Sequence, residues 1–339
     1  MVRSFNRRQV GVGAAVIIIG LRDRGAPAQP LGARPRIGIL SLAGTGIDDA
    51  PPSVRALIEG LREAGLEPGR DVELDLRFSG GDVRRLPVLA RELVDSRPAV
   101  LVAGGNPGIL AIQPVAEFSG IPVVMAAGAL DPVRAGLATS LERPGGTFTG
   151  AMAFVPDAAA QRVRLLRELV PGLARLAVMS NPDNAVAAPL VAEAVAAARA
   201  AGLESSAIEL RPPGAEADAV FAAAKAAGAQ AMLAVPGPDI FGMRRVIAEA
   251  ALRQGLPAVL AEEGYAEAGG LAALHPPIIA LWRASARHVA AILRGASPGE
   301  LPITLPARMV LTINLDTAQR LGLEVSAVLR ARADRVLGA

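Results

Sequence analysis

The sequence predicts an α/β protein built as two doubly wound parallel-sheet lobes joined by a multi-strand hinge. Three observations predict it. The chain has 339 residues, enough for two ordinary domains. Short apolar runs alternate with amphipathic stretches along most of its length, the pattern of strands covered by helices on both sheet faces. That alternation breaks once, at residues 143–150, and then starts again. Hydrophobic residues make up 52% and aromatics only 3%, so the cores must be packed from Ala, Val, Leu and Ile.

The elements follow in order. Residues 37–41 (IGILS) read as a buried strand, and Pro51 to Ala64 as an amphipathic helix stopped by Gly65. Asp71 to Phe78 alternates polar and apolar residues, as a half-exposed strand does. Residues 83–94 read as a helix, 99–103 as a strand followed by the turn Gly104-Gly105, 107–118 as a helix with proline early, where it costs least, and 121–127 as a strand. RPGGTFTG (143–150) breaks the rhythm. The second lobe reads as helices over 156–169, 186–201, 215–226 and 240–253, with strands over 176–180, 205–210, 231–235 and 256–261. In the tail, Gly269-Gly270-Leu271 reads as a linker or short strand, 278–293 as a long helix and 301–313 as extended. Short helices follow Asn314 and begin again near Ser326. A tail of this kind returns to the first lobe and crosses once more. The expected division is therefore 34–150 plus about 272–304 for one lobe, and 151–271 plus about 305–339 for the other.

Residues 1–28 read as a signal peptide. Arg3, Arg7 and Arg8 form a basic start, Val10 to Leu21 an apolar stretch too short to span a bilayer, and Ala26-Pro27-Ala28 a small-x-small cleavage site before Gln29. Arg7-Arg8 after Ser4 also resembles a twin-arginine signal, so either export route fits; an uncleaved anchor is the alternative. Export places the mature chain in the periplasm. The formal charge of +3 is largely a property of this leader. Without its five arginines and one aspartate the chain holds 30 basic and 31 acidic residues, which gives no reason to invoke nucleic acid. The absence of cysteine excludes disulfides, thiolate metal sites and a cysteine nucleophile.

Parallel α/β sheets bind ligands at the carboxyl ends of their strands. The candidate residues are therefore Ser41, Gly104, Gly105, Asn106, Gly128 and Asp131 in the first lobe, and Asn181, Gly237, Asp239, Glu263 and Tyr265 in the second. Their loops are rich in Gly, Asn, Asp and Ser, and the backbone N–H groups that open the following helices suit a carboxylate or another anion. Each residue taken singly also fits a plain turn or cap. Enzyme signatures are missing. Gly11-Val12-Gly13 lacks the third glycine of a dinucleotide fingerprint, and Lys225, the only lysine, lies within a helix rather than in a phosphate loop. No G-x-S-x-G elbow occurs. His275 and His288 have no zinc spacing, and neither a metal nor a cofactor is expected. Of the paired carboxylates, Asp48-Asp49 fits solvation, and Glu263 of Glu262-Glu263 fits a ligand amine better than catalysis. Trp282 reads as core, while the Tyr265 ring is placed to cover a bound ligand.

Six segments stand in a specific order and spacing: RIGILS (36–41), LIEGLREAGLEPGRDVELDLRFSGGDVRRLPVLARELV (57–94), IPVVMAAGALDPVRAGLATSLERPGGTFTG (121–150), RVRLLRELVPGLARLAVMSNPDNA (162–185), GLPAVLAEEGYAEAGGLAAL (255–274) and HVAAILRGASPGELPITLPARMVLTINLDTAQRLGL (288–323). Through them the chain resembles the ABC transporter substrate-binding proteins of the tryptophan/tyrosine-binding type. The resemblance implies a type I periplasmic-binding fold with three crossings between lobes, a small-molecule ligand in the cleft, ABC permease and ATPase partners, and a monomer. Aromatic amino acids are the ligands it implies for the best-known members. The departures line the cleft: Thr147 stands where the family usually has Asn, LAGTGIDDA lacks the usual Ser- and Pro-rich form, and Ala126 to Leu130 is one residue longer. A periplasmic sensor module for a receptor is the alternative on the same fold. An enzyme, or an intracellular repressor core without its helix-turn-helix, fits less well.

Overall fold

The computed structural model describes residues 34–184 and 186–338; the expected signal peptide lies outside them. The first lobe contains β1 (Arg36–Ser41), α1 (Pro52–Glu63), β2 (Glu73–Phe78), α2 (Leu86–Asp95), β3 (Val100–Gly104), α3 (Gly105–Ser119), β4 (Val123–Ala126) and β5 (Phe148–Ala151). Its five strands pair in parallel in the order β2-β1-β3-β4-β5. The second lobe contains α4 (Ala158–Leu169), β6 (Arg175–Ser180), α5 (Ala187–Ala200), β7 (Glu204–Glu209), α6 (Ala217–Ala226), β8 (Ala231–Ala234), α7 (Pro238–Gln254), β9 (Ala258–Leu260) and β10 (Ala272–His275). Helix α8 (Ile278–Leu293) returns to the first lobe and packs on α1, β4 and β5. Then β11 (Val310–Asn314), α9 (Leu315–Arg320), α10 (Ala327–Arg332) and β12 (Arg335–Leu337) complete the second. Its seven strands run in the order β12-β11-β10-β9-β8-β6-β7, parallel except for β10 against β11.

Strand periodicity divides each sheet between two cores. Ile37, Ile39, Val100, Val102 and Val124 point to the face covered by α1 and α8, where Leu57, Leu61, Trp282 and Val289 meet them. Leu40, Leu101, Ala103, Val123 and Met125 point to the opposite face, with Leu86, Leu93, Ile109 and Ile112 of α2 and α3. The second sheet is covered likewise by α4 and α5 on one face and by α6 and α7 on the other. Among the described residues no helix is long and apolar enough to cross a membrane.

Two strands differ from expectation. The break at 143–150 contains β5, which lacks an apolar run because Gly150 presses against β4. Its φ is +140°, and a Cβ there would lie 2.2 Å from the Met125 carbonyl oxygen. Ala272–His275, expected with the first lobe, pairs with β9 and β11 of the second, so the crossing follows His275.

Three crossings join the lobes, and the topology fixes which edges they connect. The first, residues 152–157, leaves the carboxyl end of β5 and enters the amino end of α4. The second is Pro276-Pro277, between the carboxyl end of β10 and the amino end of α8. The third leaves Thr304, which bridges Ala151 in parallel, and enters β11, which runs against β10. In such sheets the covering helices start at the carboxyl edge. All three crossings thus run between carboxyl edges, and the loops at those edges face one another across a cleft.

Candidate functional site

The first-lobe wall is built from loops that satisfy their own polar groups. Ser41 is 3% exposed and donates its hydroxyl to the Ala43 carbonyl at 2.9 Å. Asn106 Oδ1 accepts the N–H groups of Ala129 (2.7 Å) and Leu130 (3.1 Å), which ties the loop after β4 to the start of α3. Gly128 lies against Ile109 and accepts the Ala153 N–H of the first crossing at 2.7 Å. Asp131 Oδ1 accepts from the N–H groups of Val133 and Arg134 at 3.0 and 3.2 Å. Asp49 accepts from the Thr45 hydroxyl at 2.8 Å and from the backbone N–H groups of Thr45 and Gly46, and these bonds, the hydroxyl's first, hold its carboxyl below the usual range.

Gly104 is required by packing, because a Cβ there would fall 2.3 Å from the indole of Trp282 beneath it. The next residue, Gly105, has φ +62° and opens α3, a helix of 15 residues. Gly104 is the N-cap and offers no side-chain acceptor, and Pro107 has no N–H, so the donors that the first turn of α3 leaves without a side-chain partner are the N–H groups of Gly105 and Asn106. The helix dipole adds partial positive charge at the same place.

The second-lobe wall is acidic. Glu262, just beyond β9, accepts the Gly237 N–H at 2.8 Å through Oε1. It is half-buried, and the protein atoms crowded around it push its pKa up to about 7, against the opposing pull of the Gly237 N–H and of Arg162. Asp239, in the first turn of α7, accepts from Asn184 Nδ2 at 3.3 Å through Oδ1, while its buried Oδ2 has no partner. Asn181 Oδ1 accepts the Asp183 N–H at 3.1 Å and shapes the loop after β6. Glu263 is half-buried beside Glu262. Phe241, 43% exposed in the first turn of α7, carries the Arg244 guanidinium 4.2 Å from its ring centre.

Of the expected residues, Gly104, Gly105, Asn106 and Gly128 come together on one wall, and Asn181, Gly237 and Asp239 on the other, with Ser41, Asp131 and Glu263 at the same strand ends. Tyr265 corrects the expectation. It is wholly buried among Phe221, Ile247 and Met243 in the second-lobe core, and its ring fills the space left by Gly270, so it does not cover the cleft. Glu262 and Arg162 were not singled out as site residues. Arg162 leaves a trace in the sequence. It shares a stripe of α4 with Leu165, Leu166 and Leu169, and a charge on an apolar stripe needs a reason.

Two α/β lobes with opposed polar loops, joined by three crossings, define a two-lobed ligand-binding protein of the type I periplasmic-binding fold. The chain belongs to the ABC transporter substrate binding protein family, whose model matches residues 47–337. It is 23% identical over 271 residues to a tyrosine-binding protein of Clostridioides difficile, covering 80% of this chain and 76% of that one. A conserved domain protein of Vibrio cholerae superposes with a TM-score of 0.79 at 26% identity, covering 90% of this chain and all of that one. A Streptococcus pneumoniae ABC domain in complex with L-Trp superposes with a TM-score of 0.77 at 22% identity, with the same coverage. The family is one of substrate-binding proteins, not of enzymes.

Proposed function

We propose that this chain is the exported, periplasmic receptor of an ABC importer, and that it captures an amino acid by closing its two lobes. The observation that carries this reading is the opposite polarity of the two cleft walls. Free N–H donors at the start of α3 suit the ligand carboxylate. The unfilled carboxylate oxygens of Glu262 and Asp239, with Glu263 beside them, suit its ammonium. A zwitterion meets both walls only when they approach, so its differential affinity favours the closed form. Among the described residues no hydrogen bond or ion pair joins the loops of one wall to those of the other, which leaves the ligand as the bridge. The relatives that bind tyrosine and L-Trp make aromatic amino acids the first candidates, and the exposed face of Phe241 offers one ring to stack on. The closed form then presents a surface to the membrane permease, whose ATPase completes the importer.

The test is the melting temperature of residues 29–339 with L-tyrosine, L-tryptophan and other amino acids, beside tyramine, tryptamine and the arylpropionates. A ligand that binds only the folded state raises the melting point with its concentration. The intact amino acid is expected to do so, while the analogues lacking the carboxylate or the amine do not. Equal shifts with an amine or an acid alone overturn the two-wall reading.

A further inference from the structure

Among the described residues Arg162 is the one buried arginine, lysine, aspartate or glutamate, with 5% of its surface exposed. Burial lowers its pKa to about 10, and among the described residues no carboxylate forms an ion pair with it. A methionine or leucine would fill the same volume without desolvating a charge. Its surroundings account for it. Arg162 lies in α4, directly after the first crossing. Its Nε donates to the Leu274 carbonyl at 2.8 Å, one residue before the end of β10 and the start of the second crossing. Its Nη2 lies 3.7 Å from Met309 Sδ, at the end of the third crossing. Through these two contacts one guanidinium ties α4, the helix that follows the first crossing, to the second-lobe ends of the other two. It is also attracted through space by Glu262 of the acidic wall and by Glu193 of α5.

We propose that Arg162 is a positioning residue that gathers the three crossings and couples the charge of the acidic cleft wall to the angle between the lobes. The proposal rests on the two-lobed reading above. With the wall empty, the Glu262 carboxylate pulls on the guanidinium from the cleft side. A ligand ammonium on that wall offsets the pull, so the restraint on Leu274 and Met309 depends on occupancy. The charged groups that act on Glu262 are Arg162 from α4 and Asp239 and Arg244 from α7.

The test uses the absence of cysteine. F118C on the exposed face of α3 and V328C on α10 place one spin label on each lobe of the full mature chain, since these side chains are 96% and 70% exposed. The interlobe distance distribution is measured without ligand in this background and with R162M or R162K added. The distribution is expected to be at least twice as wide in R162M. R162K is expected to lie between, because it keeps the charge but loses the Nε bond. An unchanged distribution in a folded R162M, or in R162K where R162M does not fold, overturns the proposal and leaves Arg162 as packing. This arm needs no ligand, so it stands or falls apart from the reading of solute capture.

A second arm follows the affinity for L-tyrosine and L-tryptophan against pH. Removing the guanidinium raises the Glu262 pKa, so the midpoint of the profile moves up in R162M and returns toward that of the parent in R162K. A midpoint that does not move overturns the coupling. Failure of the parent chain to bind either amino acid counts against the ligand reading alone, and the distance arm still decides the role of Arg162.

Discussion

The two walls of the cleft use carboxylates in opposite ways. In the first lobe Asp49 and Asp131 are bonded to the backbone of their own loops, and the wall faces the cleft with helix N–H groups. In the second lobe Glu262 accepts a single N–H and Asp239 keeps a buried oxygen without a partner. Satisfied polar groups make a wall rigid, whereas unsatisfied ones make it adhesive, since a buried acceptor left unpaired costs about 1–3 kcal/mol until something fills it. The difference assigns shape to one lobe and charge to the other.

The comparison is tested most strongly by placing the same substitution on each wall. G104A drives a methyl group to 2.3 and 2.5 Å from two ring carbons of Trp282, which is buried and rigid. It is expected to cost about 3 kcal/mol or more in urea unfolding through overpacking. G237A places its methyl 2.5 Å from Asp239 Oδ1 and 3.0 Å from Asn184 Nδ2, both on side chains that can turn away. Its stability should stay within about 1 kcal/mol of the parent, because the side chains absorb the contact, while calorimetry shows ligand affinity lost. If G237A unfolds the protein and G104A only weakens binding, the contrast between the walls fails.

E262Q sharpens the assignment of charge. The folded-state pKa of Glu262 is raised from 4.5 to about 7, so the folded state holds this proton more tightly than the unfolded one. The stability contributed by the neutral acid is fully present below pH 4.5 and is lost as pH rises through 7. Glutamine stays neutral throughout. The stability of E262Q relative to the parent should therefore rise between these limits and level off above them, by about 3 kcal/mol. Thermal melts at pH 4.5, 6 and 8 measure this. A difference that is flat with pH would show that Glu262 is not desolvated.

The smallest effect is expected inside the second lobe. Y265F removes a hydroxyl that is buried without a partner, and stability should be unchanged or higher by up to about 1 kcal/mol. Ligand affinity should not move, because the ring packs in the core and not at the cleft. A loss of affinity on calorimetry would return Tyr265 to the site.

Most of the architecture was legible because buried parallel strands write themselves as apolar runs. Residues 37–41, 99–103, 176–180 and 231–235 each fall within one residue of a strand. Strand β5 was not legible, because close approach to Met125 requires glycine where an apolar residue would otherwise announce a strand. Strand β12 is three residues long, and its pairing with β11 is set by the tail folding back. At the site, strand-end positions pointed to the loops that the structure places at the carboxyl edges of both sheets. Which of Glu262 and Glu263 turns inward depends on Gly237, 25 residues away in the chain. Tyr265 misleads for a similar reason: nothing local shows that Gly270 clears space for its ring.

The return of α8 to the first lobe also sets an order of assembly. The apolar face of the first sheet, with Ile37, Ile39, Val100 and Val102, is covered by Leu281, Trp282, Ala286 and Val289. Those residues are synthesised after β6 to β10 of the other lobe, and β11 and β12 come later still. As the chain emerges from the ribosome, the lobe that begins first remains open on one side until most of its neighbour has been made. Neither lobe is a continuous piece of chain, so the first is not complete before α8 arrives and the second not before β11 and β12, and folding of both waits for residues 278–337.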